Sequence, residues 1–89
     1  VTVACRVLIV EDEMMVAMLV EDMLVDMGFI VVGPAYRLGD GLRLAKSETL
    51  DVAVLDVNLK GARSFPIATV LTERGIPFVF ATGYGTTDV

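Results

Sequence analysis

Four residues of the kind that does chemistry stand directly after short apolar runs. Val7-Leu8-Ile9-Val10 leads into Glu11 and Asp12, Val52-Ala53-Val54-Leu55 into Asp56, and Phe78-Val79-Phe80-Ala81 into Thr82 and Gly83. Unbroken apolar runs of this length read as parallel strands buried on both faces. In open α/β sheets the working groups collect outside the carboxyl ends of such strands. Three acids and one hydroxyl are therefore aimed at one rim. Carboxylates bind hard divalent cations such as Mg²⁺, and a carboxylate is also a nucleophile able to take a phosphoryl group as an acyl phosphate. The spacing thus implies a cation held beside a reactive Asp56. Glu11 and Asp12 would serve as ligands, Asn58 would offer a backbone carbonyl two residues past Asp56, and Thr82 would offer a hydroxyl to a phosphoryl oxygen.

Each residue also has a plainer reading. An Asp after a buried strand is often a turn or helix cap, acids ahead of a helix complement its dipole, and Thr82-Gly83 can be a simple turn. It is the coincidence of all three at strand ends that favours chemistry. Tyr84 reads equally as a mobile aromatic beside the site or as loop filling, and Lys60 and Arg63 read as solvated loop charges.

The elements that must position these groups alternate without a linker. Strands are predicted at 7–10, 29–32, 52–55 and 78–81, the second closed by the turn signal Gly33-Pro34. A helix is predicted over 14–27, with Met15, Met18, Leu19 and Met23 at core-facing helical spacing, joined by Val16 and Met27, and with Gly28 as its stop. So many Met could also suit an adaptable partner groove, but core packing is the reading taken. A weaker helix runs from Leu38 to Ser47, its start loosened by Gly39 and Gly41. A loop over 58–63 carries Gly61. Ser64 is the candidate N-cap of a third helix, which has Pro66 in its first turn and ends at Arg74-Gly75. The order βαβαβαβ implies an α/β, doubly wound parallel sheet.

Composition narrows the function. The chain has 89 residues, 55% of them hydrophobic, and a mean hydropathy of +0.72, enough for one small domain with a core. Its apolar runs are too short to span a bilayer, and no signal peptide is evident, so a cytoplasmic protein with no membrane partner is expected. Twelve acids against seven Lys and Arg leave a net charge of −5. That balance disfavours direct nucleic-acid binding. The absence of His excludes His metal ligands and His bases. The single Cys5 is read as a buried structural thiol.

VLIVEDE at 7–13, VLD at 54–56 followed by NLKG in the loop, and FATG at 80–83 resemble the receiver domains of bacterial two-component response regulators. The resemblance covers the whole chain. FATGYG at 80–85 is further similar to the FATGUY subgroup, common in alphaproteobacteria and linked to general stress signalling. The resemblance implies a flavodoxin-like (CheY-like) sheet of order 2-1-3-4. It implies that Asp56 accepts a phosphoryl group from the phosphohistidine of a histidine kinase or phosphotransfer protein. It also implies that Glu11, Asp12, Asp56 and the Asn58 carbonyl hold Mg²⁺, and that Thr82 is the switch hydroxyl. Such a domain is a signalling module, catalysing only its own phosphorylation and dephosphorylation, and is compatible with a homodimer.

Receivers also carry a fifth strand, with a lysine at its end, and a fifth helix. These need about 25–30 further residues. The 89 residues are therefore read as a receiver domain lacking that segment, from a longer protein, with a degenerate receiver as the alternative. Other readings stay open beside it: a pseudo-receiver that binds partners without phosphorylation, and a Mg²⁺-dependent Toprim-like nucleic-acid enzyme. The latter needs a second acid where this chain has Asn58. A haloacid-dehalogenase-like phosphatase fits the Glu11-Asp12-Glu13 run poorly.

Overall fold

The computed structural model describes residues 4–81. The chain runs β1 (Arg6–Val10), α1 (Met14–Asp26), β2 (Ile30–Ala35), α2 (Leu38–Ser47), β3 (Val52–Asp56), β4 (Asn58–Leu59), β5 (Ala62–Arg63), α3 (Phe65–Glu73) and β6 (Phe78–Ala81). Four strands form one parallel sheet in the order β2-β1-β3-β6. The expected order 2-1-3-4 is therefore present. The extra numbers come from a small antiparallel hairpin, β4-β5, formed where the sequence reads as a loop.

β1 is central, and Val7, Leu8, Ile9 and Val10 are all buried, each contributing roughly 1.5–3 kcal/mol through apolar burial. Leu8 and Val10 join Ala53 and Leu55 in a core shared with Ala45 of α2 and with Ile67 and Leu71 of α3. Gly41 lets α2 close on that core, since a Cβ there would lie 2.6 Å from Ile67 Cδ1 and 3.3 Å from Val10 Cγ1. The glycine that weakens the helix by propensity thus suits a close approach of α2 to Ile67 and Val10.

α1 packs against expectation. Met15 is 79% exposed, Leu19 and Met23 61% and Met18 51%. Met27 is exposed as well, while Ala17 is fully buried and Val16, Val20 and Leu24 are half-buried. The helix is apolar nearly all round, so two opposite stripes have helical spacing and periodicity alone cannot choose between them. The small Ala17 lets the backbone approach the sheet. Asp22 and Asp26 fall on the same stripe as Met15, Met18 and Leu19, and that stripe faces outward.

β2 also differs from its expected form. Gly33-Pro34 does not close the strand but lies inside it, where the register slips from Leu8↔Val32 to Val10↔Ala35. β2 is the edge of the sheet, which tolerates a proline and a bulge, and Gly33 takes a φ of +96° there. Cys5, expected to be buried, is half-buried ahead of β1, where its carbonyl accepts the Ile30 N–H at 2.9 Å. Among the described residues no helix is long and apolar enough to cross a membrane.

Candidate functional site

Parallel register brings the acids together. β1 and β3 pair from Val7↔Val52 to Val10↔Leu55, so the next positions, Glu11 and Asp56, emerge side by side at the carboxyl rim. That register is anchored at the opposite end, where Arg6 N–H donates to Asp51 Oδ2 at 2.8 Å and Arg6 Nε to the Thr49 carbonyl at 2.6 Å. Glu11 and Asp56 are only 8% and 7% exposed, and Asp12 is half-buried. One carboxylate oxygen from each of the three lies within 4.8 Å of the others.

Each carboxylate is held by one main-chain N–H. Glu13 N–H donates to Glu11 Oε2 at 2.9 Å, Asn58 N–H to Asp56 Oδ1 at 3.4 Å, and Lys60 N–H to Asp12 Oδ2 at 3.1 Å. The first two bonds are local. The third reaches Asp12 from the tip of the β4-β5 hairpin.

The electrostatics of the cluster are those of crowded anions. Burial pushes the Glu11 carboxyl from its ordinary 4.5 up to about 7, with the neighbouring Asp56 charge adding to the rise and the Glu13 N–H opposing it. Burial also raises Asp56, while its hydrogen bond with Glu11 favours its charged form. An apolar cleft explains the burial, because Ile9, Val16, Val20, Val54 and Ala81 wall the side on which Glu11 and Asp56 stand. Removing water from a carboxylate favours its protonated form. Among the described residues, the ion pairs are Arg6–Glu48 and Asp40–Arg43, and neither neutralises the cluster. Three converging oxygen donors without a basic partner match the donor set of a hard divalent cation.

The structure brings Glu11, Asp12 and Asp56 together as the sequence implies. Asn58 opens β4 next to Asp56. In an antiparallel pair, hydrogen-bonded and non-hydrogen-bonded positions alternate. Leu59 and Ala62 flank the turn, and Ser64 N–H bonds the Val57 carbonyl at 2.9 Å. Asn58 thus falls at the non-bonded position, its carbonyl unused by the hairpin. Thr82, Gly83 and Tyr84 lie outside the described residues. Lys60, read from sequence as a solvated loop charge, contributes its backbone to the site. The signal available was Lys60-Gly61 between two short runs, a two-residue hairpin turn hidden by the brevity of the flanking strands.

The comparisons agree with this geometry. The family model for the response regulator receiver domain matches residues 7–89. No curated protein matches the chain. Among solved structures, SdrG from Sphingomonas melonis Fr1 is 40% identical with a TM-score of 0.86, over 100% of this chain and 76% of its own. The BeF3-activated conformation of SdrG from Pseudomonas melonis Fr1 is 41% identical with a TM-score of 0.77, over 99% of this chain and 76% of its own. The response regulator PhyR from Brucella abortus is 32% identical with a TM-score of 0.79, over 88% of this chain and 33% of its own. The chain, a flavodoxin-like parallel sheet with an acidic rim, belongs to the response regulator receiver domain family.

Proposed function

We propose that the protein is a phosphoacceptor switch in two-component signalling, with Asp56 as the residue that takes the phosphoryl group. The observation that carries this reading is the placement of Asp56, 7% exposed at the end of β3, within 4.8 Å of oxygens from Glu11 and Asp12. An Asp56 carboxylate oxygen forms the new bond to phosphorus as the P–N bond to the donor phosphohistidine breaks. The imidazole leaves with the electron pair and takes its proton from solvent. Bound Mg²⁺ would neutralise the phosphoryl oxygens, a main requirement of phosphoryl transfer, and Glu11, Asp12, Asp56 and the Asn58 carbonyl are the residues to hold it. The apolar wall of Val16, Val20 and Val54 limits water at Asp56, and the Asn58 N–H orients its carboxylate.

On the residue match to the family, Thr82 is the hydroxyl that bonds the transferred group and moves with it. FATGYG at 80–85 supports reading the protein as one of the FATGUY receivers. The partner is a histidine kinase or phosphotransfer protein, which puts the reaction in the cytoplasm. The BeF3-activated conformation of SdrG supports a switching role in a relative of this similarity. The Toprim-like alternative lacks support, because Asn58 stands where that chemistry needs a second acid.

Acetyl phosphate with Mg²⁺ should add one base-labile phosphoryl group to the full-length protein, and Asp56→Asn should abolish labelling while leaving the far-UV circular dichroism unchanged. Labelling that persists in Asp56→Asn and maps elsewhere by mass spectrometry overturns the assignment.

A further inference from the structure

Among the described residues, one that is not glycine has a positive φ. It is Lys60, at +47°, followed by Gly61 at +88°. The pair forms the two-residue turn between Leu59 and Ala62, and positive φ at both central positions is the signature of a type I′ hairpin turn. Such turns favour Asn-Gly, because a side chain at left-handed φ crowds its own backbone. A residue kept in this region beside a functional site invites a functional explanation.

The explanation lies in where the turn sends its backbone. Lys60 N–H donates to Asp12 Oδ2 at 3.1 Å, across 48 residues of sequence. Asp12 sits in the β1–α1 connection, and among the described residues no other main-chain N–H reaches its carboxylate. Glu11 and Asp56 are held by N–H groups two residues further along the chain, so Asp12 alone depends on a segment distant in sequence. The hairpin that supplies this bond also carries Asn58, whose N–H holds Asp56. One small unit thus orients two of the three acids.

We propose that Lys60 is a positioning residue of the cation site, its main-chain N–H at the left-handed hairpin tip fixing Asp12 beside Glu11 and Asp56. The inference rests on the reading of the three acids as a cation site. It assigns the role to the backbone of Lys60 and none to its ammonium group. Partners that orient metal ligands are worth about 10- to 100-fold in affinity.

Titration calorimetry of the full-length protein with Mg²⁺ separates backbone from side chain. Lys60→Ile keeps the N–H but disfavours left-handed φ, and it should weaken Mg²⁺ by about tenfold. Lys60→Gly and Lys60→Asn both tolerate positive φ and should rescue binding to near the wild-type level. Lys60→Gly binding as poorly as Lys60→Ile would mean that the ammonium does the work, and unchanged binding in Lys60→Ile would mean that the turn does none; either overturns the proposal. A metal-free measurement stands beside these. The Lys60 amide should exchange slowly with deuterium in the wild type and rapidly in Asp12→Ala, and equal protection in both overturns the tether. That arm needs no Lys60 variant, so it holds even where Lys60→Ile fails to fold. Lost amide protection together with unchanged Mg²⁺ affinity in Asp12→Ala would place the failure in the cation site, leaving Lys60 with no site to position.

Discussion

Glu11 N–H donates to the carbonyl of Ala35 at 2.9 Å, a bond that joins the first acid of the site to the far end of β2. It forms because the strand slips register between Val32 and Ala35. The bulge at Gly33-Pro34 brings the Ala35 carbonyl opposite the residue that follows β1. A feature at the sheet edge thereby fixes the backbone of a buried acid.

That dependence predicts unequal costs at two glycines of nearly equal φ. Gly33 has φ +96°, and an added Cβ would lie 2.8 Å from Ala35 N and 3.1 Å from the Ile9 carbonyl. Both are backbone atoms and cannot swing aside. Gly28, at φ +95°, has nothing within 4 Å of the same position. Gly28→Ala should cost about 1 kcal/mol, the price of a left-handed alanine. Gly33→Ala should cost about 3 kcal/mol by adding a clash, and should weaken Mg²⁺ binding by loosening Glu11. Urea denaturation of the two variants measures the difference, and equal losses would show that the bulge is not tightly packed.

The sheet and the acid cluster were legible in the sequence for one physical reason. A buried parallel strand must be apolar throughout, so its last residue is marked by the first polar one, and Glu11 and Asp56 are those residues. α2 was legible as well, from Leu38 to Ser47. The facing of α1 was less so, because apolar residues occupy both sides of that helix. Asp22 and Asp26 were the discriminating signal, since each shares a stripe with the outward Met15, Met18 and Leu19. The hairpin escaped because strands of two residues are too short to show alternation. The bulge escaped because Gly-Pro usually ends a strand, and only pairing with β1 reveals that this one continues.

Ser64 supplies a second prediction, opposite to the usual one for its position. It precedes α3 as the sequence implies, but its ψ is 3° rather than extended, and its side chain makes no capping bond. Its own carbonyl takes the Ile67 N–H at 2.9 Å, and Pro66 has no N–H to offer. The hydroxyl is fully buried without a hydrogen-bond partner among the described residues. Losing an N-cap serine normally costs about 1 kcal/mol. Here Ser64→Ala removes only an unsatisfied buried group, so stability should hold or rise by roughly 0.5 kcal/mol. A loss of about 1 kcal/mol on urea denaturation would show that the hydroxyl does cap α3 in solution.

The raised Glu11 carboxyl predicts how pH and metal act together. In the unfolded chain Glu11 titrates near 4.5, and in the folded, metal-free protein near 7. The folded state therefore holds the proton more tightly between those values. Wherever the native state binds more protons than the unfolded one, stability falls as pH rises. The contribution of this group is fully present below pH 4.5 and is lost by the time the pH passes about 7. The raised Asp56 acts in the same direction. Without metal, the melting temperature should accordingly decline from pH 5 to pH 8 through this pair, and Glu11→Gln should flatten the decline. A cation that binds the charged carboxylates must displace the proton held on Glu11, so Mg²⁺ affinity should increase over the same interval and release protons as it binds. Saturating Mg²⁺ stabilises only the native state, and its increment in melting temperature should be larger at pH 8 than at pH 5. Thermal melts at both pH values, with and without Mg²⁺, in wild type and Glu11→Gln, measure each part. An increment that is equal at the two pH values, or larger at pH 5, would mean that Glu11 is already ionised in the metal-free protein.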